Sequence, residues 1–292
     1  VARGVKGSAC VNVFRDVAYN RTGITLAAPG PAALTRAVVA LSAAALARLD
    51  LTTHIATHPR LGVVDHISCH PLTPSTPLDL ATSAAQQIGV ELAGGSGTHG
   101  KLGRSQQDED KRVGGEHSYA GVPVLYYGSA HPQQRSLAEI RRAFGYFKSG
   151  GQGMWTGSDD NRVPPVAPDV GPDTVDPRAG VVCIGAAPWV VNYNVGLQTD
   201  DLALAKLVAK AVSTRGGGPP CVEAMALKHD EGTIEIACNL LNIATTPEST
   251  VLQQIREYAK EHGVALVDHG YNTNKYPEEI VKEANEILAR CP

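Results

Sequence analysis

The residues best suited to chemistry gather around Thr57-His58-Pro59-Arg60. An imidazole with an unperturbed pKa of ~6.5 is a ready general base near neutral pH. Pro59 stiffens the chain beside it, and the Arg60 guanidinium can grip a carboxylate bidentately. Ten histidines are present, so residue type alone does not select His58, and on pattern alone it reads more economically as a surface histidine in a turn. Other groupings are weaker. His54 and His58 would share a face only on a helix, whereas residues 51–55 are rich in strand formers. His66-x-x-Cys69-His70 collects three potential metal ligands, but a strand sends Cys69 and His70 to opposite faces, so no metal is predicted. Gly216-Gly217-Gly218 follows a helical pattern and lacks the Lys-Ser/Thr of a phosphate loop, so it reads as a flexible connection.

The elements that must position His58 follow from periodicity. Strand patterns run through residues 9–14 and 22–27, and Pro31 opens a helix whose stripe is Leu34, Val38, Leu41, Ala45 and Leu49. Residues 51–55 and 62–69 predict a hairpin with His58 in its turn. A helix over 78–92 and a strand over 122–127 complete the first half. The second half is predicted as strands at 181–184 and 189–195, a helix at 200–212, strands at 221–227 and 233–238, a helix from Thr246 to Gly263, a strand at 264–267, and a helix from Pro277. Strand, helix, strand, strand, helix, strand therefore occurs twice. The fold class expected is α+β, with two ferredoxin-like βαββαβ subdomains, residues 1–178 and 179–292. The Pro- and Gly-rich stretch 150–180 separates them, and the polar run 106–112 is expected to be a solvated insertion.

Composition bounds the function. The 292 residues carry 26 Lys+Arg against 29 Asp+Glu, a net charge of −3 with no basic block, which argues against nucleic acid as a partner. No apolar run approaches the ~20 residues that a bilayer requires, so no membrane insertion is expected. The six cysteines are scattered without C-x-x-C spacing, which predicts reduced thiols and a reducing compartment, cytoplasm or the interior of a mitochondrion or plastid, and not secretion. The opening residues from Val1 are too few and too polar for a signal peptide, so a processed or incomplete start is expected.

The segment Thr57-His58-Pro59-Arg60-Leu61-Gly62-Val63-Val64-Asp65 resembles the formiminotransferase family, that is, the transferase portion of formiminotransferase-cyclodeaminase and its stand-alone plant-type relatives. Ala18-Tyr19-Asn20-Arg21-Thr22, Val122-Pro123-Val124, Pro168-Asp169-Val170-Gly171-Pro172, Asn192-Tyr193-Asn194-Val195 and Cys238-Asn239-Leu240-Leu241-Asn242 match further family segments in the same order. The resemblance implies two ferredoxin-like subdomains around a folate-binding groove, usually in a homodimer. It implies transfer of a formimino group, or a formyl group in the related activity, between N-formiminoglutamate or N-formylglutamate and N5 of tetrahydrofolate, the folate acting as co-substrate.

On that resemblance His58 is the catalytic base. It would take the N5 proton and return one to the departing glutamate nitrogen. A carboxylate is expected to orient the ring, with Asp65 and Asp16 as candidates. Arg21 and Arg60 suit the substrate's carboxylates or the glutamate tail of the folate, and Asn20, Asn194 and Asn239 suit polar edges of substrate or pterin. Thr57 replaces the acid that precedes His-Pro-Arg in the animal enzymes, and the family's first strand and helical cyclodeaminase portion do not occur within Val1–Pro292. These departures give a second reading: a catalytically inactive folate-binding protein or a structural subunit of a larger assembly.

Overall fold

The computed structural model describes residues 5–94, 121–146 and 163–290. The alternating N-terminal run forms β1 (Ala9–Asp16), paired antiparallel with β2 (Arg21–Ala27). Four residues turn the chain between them, and Asn20 sits there at φ +47°, a left-handed conformation that asparagine tolerates better than most residues. Pro31 then begins α1 (Pro31–Leu46), its fixed φ suiting a first turn where its missing N–H costs nothing. α1 packs on α2 (Leu78–Ala93), whose Ile88 and Leu92 are fully buried.

β3 (His66–Cys69), β4 (Val124–Gly128) and β5 (Val182–Ala186) form a parallel sheet in the order β3-β5-β4. Its alternating residues serve two cores. Val124, Val182 and Ile184 pack towards α2, while Leu125 and Cys183 meet Ile140, Phe144 and Tyr146 from α3 (Leu137–Ala143) and the turn after it. Ser136 and Glu139 close a capping box on α3, each satisfying a backbone N–H of the first turn. Asp169 of the 168–172 segment accepts the Tyr126 N–H at 2.7 Å and the Arg135 guanidinium, tying that segment to β4.

The C-terminal half is one antiparallel sheet, β7 (Val222–Asp230), β8 (Thr233–Leu240), β6 (Val191–Gln198) and β9 (Tyr271–Asn272), in the order β7-β8-β6-β9. Val195, Leu197, Ile234, Ile236 and Leu240 point to the side covered by α4 (Leu202–Val212) and α5 (Glu248–Glu261), each contributing about 1.5–3 kcal/mol by burial. Strand alternation therefore sends Asn192, Asn194, Glu235 and Asn239 to the other side, where the N-terminal half lies. Ile280 and Ala284 of α6 (Pro277–Arg290) pack back on Ala9, Val11 and Ala27 and fasten the two halves together.

The α+β class holds, and three expectations are corrected. The hairpin over 51–69 does not form. Leu51–Thr53 is a single 3₁₀ turn, because the Asp50 carboxylate takes the Thr52 N–H at 3.0 Å and offers the backbone a local alternative to pairing. Only 66–69 is strand, and it pairs in parallel with β5. β5, placed by periodicity in the second half, hydrogen-bonds to β3 and β4, so the N-terminal half is an antiparallel ribbon plus a parallel sheet. Residues 264–267 make one bridge, Leu197 to Leu266, and the edge strand is Tyr271–Asn272. The run 106–112 lies outside the described residues.

Between the 3₁₀ turn and β3 the chain bearing His58 is irregular and is held by close backbone approach. A Cβ on Gly62 would lie 2.2 Å from the Val181 carbonyl oxygen. Gly62→Ala is expected to lower stability by about 1–3 kcal/mol, read as a reduced urea midpoint at unchanged slope.

Candidate functional site

His58 lies at the junction of the two halves and is 9% exposed. Its Nδ1 is 2.7 Å from the Pro59 carbonyl oxygen, an acceptor only, so Nδ1 carries the proton and Nε2 the lone pair. The Arg21 guanidinium, from the first residue of β2, donates to that Nε2 at 2.8 Å. Burial and then the Arg21 charge push the His58 pKa down to about 3, so the ring is neutral at physiological pH. The rings of Tyr19 and Tyr146 meet it edge-on, at 5.2 and 6.2 Å between centroids.

Tyr19 links the halves. It is 1% exposed; its backbone N–H donates to Asp16 Oδ1 at 2.9 Å and its hydroxyl to Glu235 Oε2 at 2.8 Å. Glu235, 2% exposed on β8, also accepts from Asn194 Nδ2 at 3.1 Å and from the Tyr271 hydroxyl. Three donors thus satisfy a carboxylate taken out of water, a burial that would otherwise cost several kcal/mol. Burial, and then the Glu235 charge, raises the Tyr19 hydroxyl pKa far above its ordinary value and keeps it protonated. His229 of β7 stacks edge-on against Tyr19 and brings Nε2 to 3.4 Å from Asp16 Oδ1. Asp16 Oδ2 is buried and has no hydrogen-bond partner among the described residues.

A second layer supports the His58 segment from below. Asp65 Oδ1 accepts the Leu61 N–H at 2.5 Å, and its Oδ2 accepts from Arg141 at 3.0 Å. Burial alone would raise the Asp65 pKa. The bond to His66, the Arg141 charge and the Leu61 N–H outweigh it and hold the carboxyl well below the usual range. The Arg141 guanidinium, on α3, lies 4.4 Å from the centre of the Tyr146 ring that faces His58.

The expected site residues divide. His58, Arg21 and Asp16 converge on Tyr19 or on one another, and Asn194 bonds to Glu235, the carboxylate that Tyr19 also reaches. Neither Asp65 nor Asp16 hydrogen-bonds to the His58 ring, which is oriented by the Pro59 carbonyl. Asn20 donates to the Ile55 carbonyl at 3.0 Å and pins the loop that leads to His58. Arg60 turns back to the His54 carbonyl. Asn239 pairs with Asn192 at 2.8 Å, four residues along β8 from Glu235 and so roughly 13 Å away. Tyr19, Tyr146, Arg141, His229, Glu235 and Tyr271 were not singled out by sequence reasoning, although Tyr19 stands inside the quoted Ala18–Thr22 segment.

The neutral His58 has a consequence for stability. The unfolded chain takes up a proton on this residue below about 6.5 and the folded chain does not until about 3. Its contribution is therefore complete above 6.5 and is lost progressively as the pH falls. His54 and His70, whose pKa values burial also lowers, act in the same sense. Urea midpoints measured from pH 7 to pH 4 are expected to fall less steeply in His58→Gln than in the wild type.

Comparison with known proteins shows the family. Residues 1–187 match the family model described as "Formiminotransferase domain, N-terminal subdomain", ending just after β5. A "Formiminotransferase cyclodeaminase-like protein" of Arabidopsis thaliana is 38% identical over 286 residues, covering 96% of this chain and 88% of that protein. A "Glutamate formimidoyltransferase" of Thermoplasma acidophilum is 30% identical over 168 residues, 56% of this chain and 52% of its own length. Another of that name, from Streptococcus pyogenes serotype M1, is 26% identical over 151 residues, 50% of this chain and 47% of its own. The match to these two microbial proteins thus spans about half their length. With the family model covering well over half of its residues, the chain belongs to the formiminotransferase family.

Proposed function

We propose that the protein is a folate-dependent one-carbon transferase that moves a formimino group, or a formyl group, between N-formiminoglutamate, or N-formylglutamate, and N5 of tetrahydrofolate, with His58 as general base. The observation that carries this reading is the neutral imidazole of His58, fixed through Nδ1 by the Pro59 carbonyl so that Nε2 keeps its lone pair. N5 can attack the formimino carbon only as it sheds its proton. Nε2 receives that proton and then delivers one to the glutamate nitrogen as its bond to carbon breaks, so the residue ends neutral as it began. The Arg21 cation beside it suits a substrate carboxylate, and Asp16, one of whose buried oxygens has no partner among the described residues, suits an N–H donor of substrate or pterin.

The same reading places folate against the polar face of the C-terminal sheet, where Asn194 and Glu235 oppose the turn between β1 and β2. The succession β6-α4-β7-β8-α5-β9 supports a ferredoxin-like C-terminal subdomain as one wall of that groove, and a homodimer is part of the proposal. The test is to mix the protein with tetrahydrofolate and each donor in turn and to follow folate absorbance together with glutamate release. One glutamate released per folate converted supports transfer. Donor hydrolysis without folate conversion, or no reaction with either donor, overturns it.

A further inference from the structure

His58 is equipped as a base but is not available as one: its only lone pair already accepts a hydrogen bond from Arg21, at 2.8 Å. Two differences between the partners decide which of them can yield. The ring is buried, gripped at Nδ1 by Pro59 and flanked by Tyr19 and Tyr146, whereas Arg21 is solvent-exposed at the start of β2. The arginine can therefore swing away while the imidazole stays. Its guanidinium also lies 5.4 Å from the centre of the Tyr19 ring, a cation–π contact that a carboxylate can outbid.

Resting on the functional reading above, we propose that Arg21 is a carboxylate-operated latch on His58: it caps Nε2 in the empty site, and the carboxylate of an incoming glutamyl group draws it off and frees the base. One N–H···N hydrogen bond is exchanged for charge-assisted N–H···O bonds, and no covalent bond changes. Opening removes a cation from contact with the imidazole, so the same movement that uncovers Nε2 also makes it a stronger base. The remaining charged and titratable groups that face the ring do not move in this scheme. Arg141 and Tyr146 approach from α3 and its following turn, Asp65 from the loop before β3, and Tyr19 from the turn before β2. The base is thus switched on by the substrate that needs it. Arg21 is a positioning residue for His58 as well as a carboxylate contact.

The test is a histidine ¹⁵N titration of the full chain, following the His58 ring nitrogens with and without saturating L-glutamate. Expected is a glutamate-dependent change confined to Nε2, with the His58 titration midpoint raised by about one pH unit or more. Arg21→Gln is expected to show the raised midpoint without glutamate and no further response to it. Wild-type spectra alone decide the matter if that variant does not fold. Glutamate binding that leaves Nε2 and the midpoint unmoved overturns the latch, and if such a protein still turns over formiminoglutamate, the transferase reading survives the loss. No glutamate response at any resonance removes the trigger, and with it the latch. Absence of turnover in a protein whose His58 does respond to glutamate removes the transferase reading and leaves the latch standing.

Discussion

His58→Ala is expected to lower kcat for transfer from formiminoglutamate to tetrahydrofolate by about 10²–10⁴-fold, the usual worth of a positioned general base. The loss belongs to kcat because the ring offers the reaction one group, the Nε2 lone pair that Arg21 caps in the empty site, and substrate carboxylates have Arg21 to bind. KM for both substrates is therefore expected to change by less than about threefold. Folding should survive. The ring's packing partners Tyr19 and Tyr146 have other contacts, Tyr19 to Glu235 and Tyr146 to Arg141, and the exposed Arg21 can turn to solvent. His58→Gln, which retains a polar side chain but no comparable base, is expected to match alanine in rate. Either variant retaining more than about a tenth of wild-type kcat contradicts the role assigned to His58.

Arg141→Ala is expected to cost about 3 kcal/mol of folding stability, the largest single-site loss anticipated around the site. The side chain is 14% exposed and joins three things at once: the Asp65 carboxylate at 3.0 Å, the Tyr146 ring, and through Asp65 the Leu61 N–H three residues after His58. Removing the guanidinium leaves Asp65 with His66, a half-exposed partner at 3.5 Å that replaces only part of the interaction. Arg141→Lys is expected to recover part of the loss, because a lysine restores the charge but not the flat stack on Tyr146. Urea unfolding of the three proteins at pH 7 ranks them as wild type, lysine, alanine. A midpoint for Arg141→Ala equal to that of the wild type removes Arg141 from the support of the His58 loop.

How far the sequence could be read depended on where each signal originates. Helices α1, α2, α4 and α5 were legible because Pro31, the Gly263 stop and the apolar stripes are local signals. The 51–69 hairpin was misread for a tertiary reason. Leu51 N–H goes to the Arg178 carbonyl and Gly62 backs onto Val181, contacts more than a hundred residues apart that no window of sequence displays. β5 was legible as a strand, but its partners β3 and β4 precede it across stretches that carry no pairing signal.

For the site, His58 emerges from the resemblance of its motif and not from pattern, Arg21 from the fit of a guanidinium to a carboxylate, and Asp16 as a carboxylate that precedes Asn20-Arg21. Glu235 carried a faint signal: an acid in the middle of Thr233-Ile234-Glu235-Ile236-Ala237-Cys238, on the side of the strand opposite the isoleucines. Its meaning needed Tyr19 and Tyr271 beside it, 216 and 36 residues away. Asp65 is one of two carboxylates expected to orient the imidazole, because it lies in the motif that carries the resemblance. Folded, the loop turns its carboxylate under the chain to Leu61 and Arg141 instead.

The central claim, that Nε2 of His58 takes the proton from N5 of tetrahydrofolate, is tested most directly by the structure of the protein with tetrahydrofolate and glutamate bound. N5 is expected within about 3.2 Å of Nε2, with the Arg21 guanidinium on a glutamate carboxylate and Nδ1 still on the Pro59 carbonyl. Folate bound with N5 beyond the reach of His58, or Arg21 still capping Nε2 with both ligands in place, would contradict it.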